Sequence, residues 1–139
     1  MGRVVVAARM ENLGDLFEVE RGTRKSDQVR TVEVADALVD TGATTLSLPA
    51  SLIAKLGLNR VRTRRARTSA GVFEFGVYDP VRLTVQGRDC PIQVAEVPDD
   101  CPVLIGQVPL GLLDWVVDRS GQRLIGNPAH GGEQMLERY

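Results

Sequence analysis

Histidine and cysteine are nearly absent from this sequence: one histidine, His130, and two cysteines, Cys90 and Cys101, in 139 residues. That is too few ligands for a zinc site built from several His and Cys, so no metal is expected. Cysteines this sparse do not make a disulfide-stapled secreted scaffold, and reduced thiols are expected in place of a Cys90–Cys101 bridge. Long apolar runs are also missing. Val4 to Ala8 is interrupted at Arg9, short of a signal-peptide core, and Gly2 lacks the Ser or Thr at position 6 that myristoylation requires. Nothing approaches the roughly 20 apolar residues of a membrane span, so the chain reads as soluble and cytoplasmic, with no membrane partner. Excess charge is lacking as well. Seventeen Lys plus Arg against eighteen Asp plus Glu leave a formal net charge of -1, which by itself names no polyanionic ligand.

What is present suits one folded unit. The length fits a single core, and 43% hydrophobic with 25% charged residues is the balance of an ordinary globular protein. Residues 1–139 are therefore expected to form one domain. The local signal is mostly β: Val4 to Val6, Leu16 to Glu20, Val29 to Val39, Val72 to Val77, Val81 to Val85 and Ile92 to Val97 are short, rich in branched residues and often alternating. Turn chemistry separates them at Arg21-Gly22-Thr23, Ala70-Gly71, Gln86-Gly87-Arg88, Pro98-Asp99-Asp100 and Ser120-Gly121-Gln122. Two short stretches read as helical. Pro49 to Leu56 has Pro near its first turn, Leu52 and Leu56 on one face and Gly57 as a stop, and Val108 to Leu113 is a turn or two. The expected fold class is all-β, a closed barrel of mostly antiparallel strands with one or two short helices.

Chemistry concentrates in Ala37-Leu38-Val39-Asp40-Thr41-Gly42-Ala43-Thr44. A buried-looking strand ends in an acid that is costly to bury ionised without partners. The hydroxyl and glycine that follow suit a tight turn able to offer backbone N–H groups to that carboxylate. An acid held on a rigid strand end and partly shielded from water can be tuned for proton transfer. The bland alternative is a turn-capping acid at a strand end.

Leu38-Val39-Asp40-Thr41-Gly42-Ala43-Thr44 resembles the active-site loop of the aspartic proteases. Leu104, Ile105 and Gly106, followed by a short helix, look like the second signature of that family. Between them, Ser69, Ala70 and Gly71 in a Gly-turn hairpin near residues 66–76 stand where the family carries its flap. With one Asp-Thr-Gly and not two, the chain resembles the single-domain retropepsin-like enzymes. The resemblance implies an aspartic endopeptidase acting on peptide or protein substrates, without metal or organic cofactor. Asp40 would be catalytic, and its mate would be Asp40 of a second copy across a twofold axis. Thr41 would interlock with its twin, Gly42 would present backbone to the peptide, and Ala43 would keep the entrance small. Thr44 stands where the viral enzymes usually carry an acid, and Gln107 where they often carry Arg, so the ion pair bracing those dimers is not reproduced. Residues 133–139 are a candidate dimerisation strand, the alternative being a loosely ordered tail. The rival function is a dimeric peptide-binding or scaffold module of the same fold with little or no cleavage.

Other residues have plainer readings. His130, among Asn127-Pro128-Ala129 and Gly131-Gly132, reads as a surface or turn histidine. Asp99 and Asp100 read as turn composition, and Trp115 as a core or dimer-edge aromatic. Arg60, Arg62, Arg64, Arg65 and Arg67 crowd five guanidiniums into eight residues. No aromatic lies beside them in sequence to stack on bases, so a nucleic-acid surface is disfavoured. Near the flap they would instead attract acidic peptide segments or repel basic ones.

Overall fold

The computed structural model describes residues 3–136. Their order is β1 (Val5–Asn12), α1 (Leu13–Glu20), β2 (Thr31–Val39), β3 (Leu46–Pro49), α2 (Ala50–Leu56), β4 (Arg60–Thr68), β5 (Gly71–Val85), β6 (Arg88–Val97), β7 (Leu104–Ile105), α3 (Gln107–Leu113), β8 (Trp115–Asp118) and β9 (Arg123–Gly126), with 3-10 turns at Ser26–Gln28 and Pro128–His130. Strands dominate, as the branched-residue pattern requires. The main sheet runs β1-β2-β7-β3-β6-β5-β4, and β1 also pairs with β5, so the sheet closes on itself as a ring with β4 hung outside on β5. Its pairs are antiparallel except β2 with β7 and β3 with β6. Met10, Leu46, Leu48, Leu56, Leu83, Ile105 and Leu113 fill the inside of the ring, each with essentially no exposure.

Four sequence expectations change. Leu16 to Glu20 is not a strand but most of α1. The alternation Phe17-Glu18-Val19-Glu20 suggested β, yet the Asn12 side chain accepts a hydrogen bond from the Asp15 amide at 3.0 Å and starts a helix, the ordinary work of an N-cap. The described residues therefore hold three short α-helices where one or two were expected. Val72 to Val77 and Val81 to Val85 belong to one strand, β5, whose register with β6 slips between Tyr78 and Val81. Pro80 lies in that slip, having no N–H to give to the ladder. Finally, residues 133–136 of the candidate dimerisation segment form no strand, and residues 137–139 lie outside the described residues.

Several tertiary bonds set the frame around the ring. Asp99 accepts from the Ser51 amide at 2.8 Å, capping α2 from a distant turn, which gives that acid a structural task. Gly57 closes α2 in the left-handed region at φ 66°, a conformation that glycine adopts without strain. Trp115 donates to the Val85 carbonyl at 3.0 Å and lies under the Arg88 guanidinium, 3.8 Å from its ring centre, a stacked cation–π contact. His130 is not an idle turn residue: its Nδ1 is 2.6 Å from Asp114 Oδ2. Asp114 also accepts from Asn127 Nδ2 and the Met135 amide, tying the final segment to the end of α3.

Candidate active site

Asp40 follows the last residue of β2, and the strand delivers it to a fixed place. The Leu38 amide donates to the Val103 carbonyl at 2.8 Å, the Val39 amide to Val4 at 2.9 Å and the Asp40 amide to Ile105 at 3.0 Å. The chain then turns tightly. The Ala43 amide donates to the Asp40 carbonyl at 3.0 Å, and the Gly42 amide donates to Asp40 Oδ1 at 2.9 Å. The side chain is half-buried. Its other oxygen, Oδ2, has no hydrogen-bond donor among the described residues, and no ion pair involves Asp40.

The segment 104–108 holds this turn from behind. β7 pairs in parallel with the end of β2, matching Leu38 to Leu104 and Val39 to Ile105. Beyond it, the amides of Gly106, Gln107 and Val108 donate to the carbonyls of Thr45, Ala43 and Thr44 at 3.0, 2.9 and 2.8 Å. The first amides of α3 have no partners within their own helix, and the loop carbonyls satisfy them. The contact is close enough to dictate glycine at 106: an added Cβ would lie 2.6 Å from the Thr45 carbonyl oxygen and 2.7 Å from that of Ala43. The Gln107 side chain reaches farther and donates through Nε2 to the Thr41 carbonyl. Gln107 thus clamps the loop by hydrogen bonding, without the charge an arginine would bring. Sequence reading noted Gln107 only as a departure from the viral pattern and gave no sign of this bond.

Ser69, Ala70 and Gly71 form the turn between β4 and β5. Thr68 Oγ1 accepts from the Ala70 amide and donates to the Gly71 carbonyl, while Gly71 sits at φ 126°, where a side chain is strained. The hairpin approaches the Asp40 loop through its body: Thr44 and Thr45 share a cavity of about 330 Å³ with Arg64, Phe75 and Val77 of the hairpin and Gln93 of β6. On its other side Asp40 opens into a cavity of about 620 Å³ that it shares with Thr41, Arg3, Val117, Arg119 and Gln122. The last three belong to the β8–β9 hairpin and its turn, which no motif in the sequence had connected with Asp40.

Residues 28–111 match the family model described as gag-polyprotein putative aspartyl protease. The chain belongs to that family. The matched region runs from the start of β2 into α3 and contains the Asp40 loop, the β4–β5 hairpin and Leu104 to Gly106. β1 and α1 precede it, and β8 and β9 follow it. Together with the all-β fold and its ring-like sheet, this makes the chain a retropepsin-like aspartyl protease domain. No curated protein matches the chain. No helix of the described residues is long and apolar enough to cross a membrane.

Proposed function

We propose that this aspartyl protease domain is an aspartic endopeptidase whose reaction centre is a pair of Asp40 carboxyls, one from each protomer of a homodimer. The observation that carries the reading is the setting of Asp40 itself: a carboxyl fixed at a strand end, given one backbone donor on Oδ1 and no ion pair among the described residues. An acid that merely capped a turn would need no such bracing by β7 and α3. Oδ2 is left to face a second carboxyl.

Two such acids close together share a proton, and the pair titrates as a unit. The ionised member takes a proton from water as the water oxygen attacks the scissile carbonyl carbon. The protonated member gives its proton to the carbonyl oxygen, and a tetrahedral gem-diol forms. When the C–N bond breaks, the proton taken from water passes to the leaving nitrogen, the other carboxylate takes a proton back from one gem-diol hydroxyl as the C=O of the new acid forms, and the pair is restored with its single proton. No metal and no organic cofactor enters. The hairpin near residues 66–76, with Ser69, Ala70 and Gly71 at its tip, acts as the flap that covers an extended peptide and excludes water. Thr41 and Gly42 support the dyad and the peptide backbone, and Ala43 keeps the floor narrow.

The whole of residues 1–139 serves as one such half-enzyme, working in a reducing cytoplasm on protein substrates. Free Cys90 and Cys101 support that setting. Hydrolysis of an unfolded protein substrate by wild type and Asp40→Asn tests the reading. Loss of cleavage with an unchanged circular dichroism spectrum is expected; cleavage at the wild-type rate by the variant would remove Asp40 from the reaction.

A further inference from the structure

Most of the described arginines outside β4 are already engaged. Arg9 and Arg82 pair with Glu11, Arg24 and Arg30 with Asp15, and Arg123 with Asp118. Arg88 donates to the carbonyls of Leu113, Asp114 and Gly132. β4 is different. Of its five arginines only Arg65 has a carboxylate partner among the described residues, Glu74 at 3.8 Å, with both side chains well exposed.

The strand register sorts these side chains onto two faces. Directly opposed residues in an antiparallel pair share a face, and successive residues alternate. Arg62 lies opposite Val77, Arg64 opposite Phe75 and Ala66 opposite Phe73, whereas Arg65 lies opposite Glu74 and Arg67 opposite Val72. The slip between Arg60 and Arg62 puts Arg60 opposite Tyr78, so Arg60 does not join the face of Arg62 and Arg64 that simple alternation suggests. Val77 is paired in turn with Ala95 of β6. The face of Arg64, Phe75 and Val77 is therefore the one that walls the 330 Å³ cavity reached by Thr44, four residues after Asp40; Arg65 and Ala66 also line it, whereas Arg62, though on the same face, does not.

No carboxylate lines that cavity. Its lining is apolar at Phe75 and Val77, Thr44 and Thr45 bring hydroxyls, and of its two arginines Arg65 pairs with Glu74 while Arg64 has no carboxylate partner among the described residues. Beyond Phe75 the sign reverses: Glu96 lines the adjoining depression, which shares Thr44, Thr45 and Phe75 with the first, and Glu74 joins it in the one after. A glutamate or aspartate side chain fits the first cavity: its methylenes would lie on Phe75 and its carboxylate would reach a guanidinium, a pairing that can be bidentate. We infer that Arg64 forms a subsite for an acidic side chain of an extended peptide, and so directs the protease toward acidic sequences. The inference rests on the endopeptidase reading and adds its substrate class. A single-stranded nucleic acid is the competing occupant, since Phe73 and Phe75 stand across the hairpin from the arginines although none adjoins them in sequence. The pocket's placement beside the Asp40 loop favours the peptide.

Digestion of a randomised peptide library, read by mass spectrometry, tests this with wild type, Arg64→Gln, Arg64→Glu and Arg67→Gln. Wild type should favour Asp or Glu over Lys at one position relative to the cut by about tenfold. Arg64→Gln should remove that preference, Arg64→Glu should turn it toward Lys, and Arg67→Gln, on the other face, should keep it. Hydrolysis with no charge preference, or a preference that survives Arg64→Gln, overturns the subsite and leaves the protease intact. Absence of hydrolysis of every peptide by wild type counts against the protease, and the subsite is then decided by fluorescence anisotropy on Asp40→Asn protein with Glu-rich and Lys-rich peptides and a single-stranded oligonucleotide. Tighter binding of the Glu-rich peptide, lost in the Arg64→Gln double variant, supports it. Equal binding of the two peptides, no binding of either, or tighter binding of the oligonucleotide overturns it.

Discussion

Asp15 and Asp40 both stand at junctions between secondary-structure elements, and their surroundings are opposite. Asp15, in the first turn of α1, is buried and receives the Arg30 amide at 3.0 Å, Arg30 Nε at 2.9 Å and Arg30 Nη2 at 2.8 Å, with Arg24 3.4 Å away. Those bonds from Arg30, opposed by burial, hold its carboxyl below the usual carboxylate range. Asp40 has one backbone donor on one oxygen and no ion pair among the described residues. A carboxylate locked by a bidentate arginine is fixed in its ionised state and cannot share a proton. The acid that the protein leaves unpaired, on a loop it braces from two sides, is the one able to do so.

Exchanging Asn for each acid breaks the comparison most sharply. Asp40→Asn should lower kcat/KM for peptide hydrolysis by about a thousandfold or more, as loss of a group acting at the reacting atoms does. Its melting temperature should stay near that of wild type. Asp15→Asn should do the reverse: chemical denaturation should show a loss of about 2 kcal/mol, while turnover per folded dimer is unchanged. A variant at either site that failed in both respects would erase the distinction.

Gly106→Ala comes next, because its Cβ would meet two backbone carbonyls that cannot yield cheaply. It should cost about 2–3 kcal/mol of stability by overpacking and reduce hydrolysis at any temperature where it stays folded, measured by parallel melting and activity assays. Gln107→Leu removes the clamp on Thr41 without touching the backbone bonds. It should leave stability within about 1 kcal/mol and lower activity by about tenfold through looser placement of Asp40.

The smallest effect is on pH dependence. Asp15 and Asp114 both have carboxyls held below their ordinary value, Asp15 by Arg30 and Asp114 chiefly by His130. A folded-state pKa lower than the unfolded one contributes stability that is fully present above the unfolded value and is lost as pH falls through the folded one. Melting temperatures should therefore hold near neutrality and decline below about pH 4, and Asp15→Asn should flatten that decline. A decline of the same steepness in the variant would show that Asp15 is not a source of it.

Much of the candidate site was legible because it is built from short-range rules. An apolar strand, an acid, and then a hydroxyl and a glycine in a turn announced Asp40, and a second apolar run closed by glycine announced Gly106. The Cβ clash at Gly106 gives that glycine its physical reason. What could not be read depends on distant partners. Asn12 caps α1 and also donates to the Leu56 carbonyl at 2.8 Å, so a helix where alternation promised a strand is fixed partly from across the molecule. The sorting of the β4 arginines hinges on a one-residue register slip, and a slip turns every later side chain to the other face. His130 gained its place through Asp114, which closes α3 at φ 57°, and nothing near His130 in sequence signals that partner.

Mixing wild-type protein with Asp40→Asn, under conditions where subunits exchange, tests the shared dyad most directly. If each reaction centre needs two intact Asp40 carboxyls, an equimolar mixture at fixed total concentration should retain about a quarter of the wild-type activity, the share of dimers with both acids. Retention of about half, the value for protomers that act alone, would contradict it.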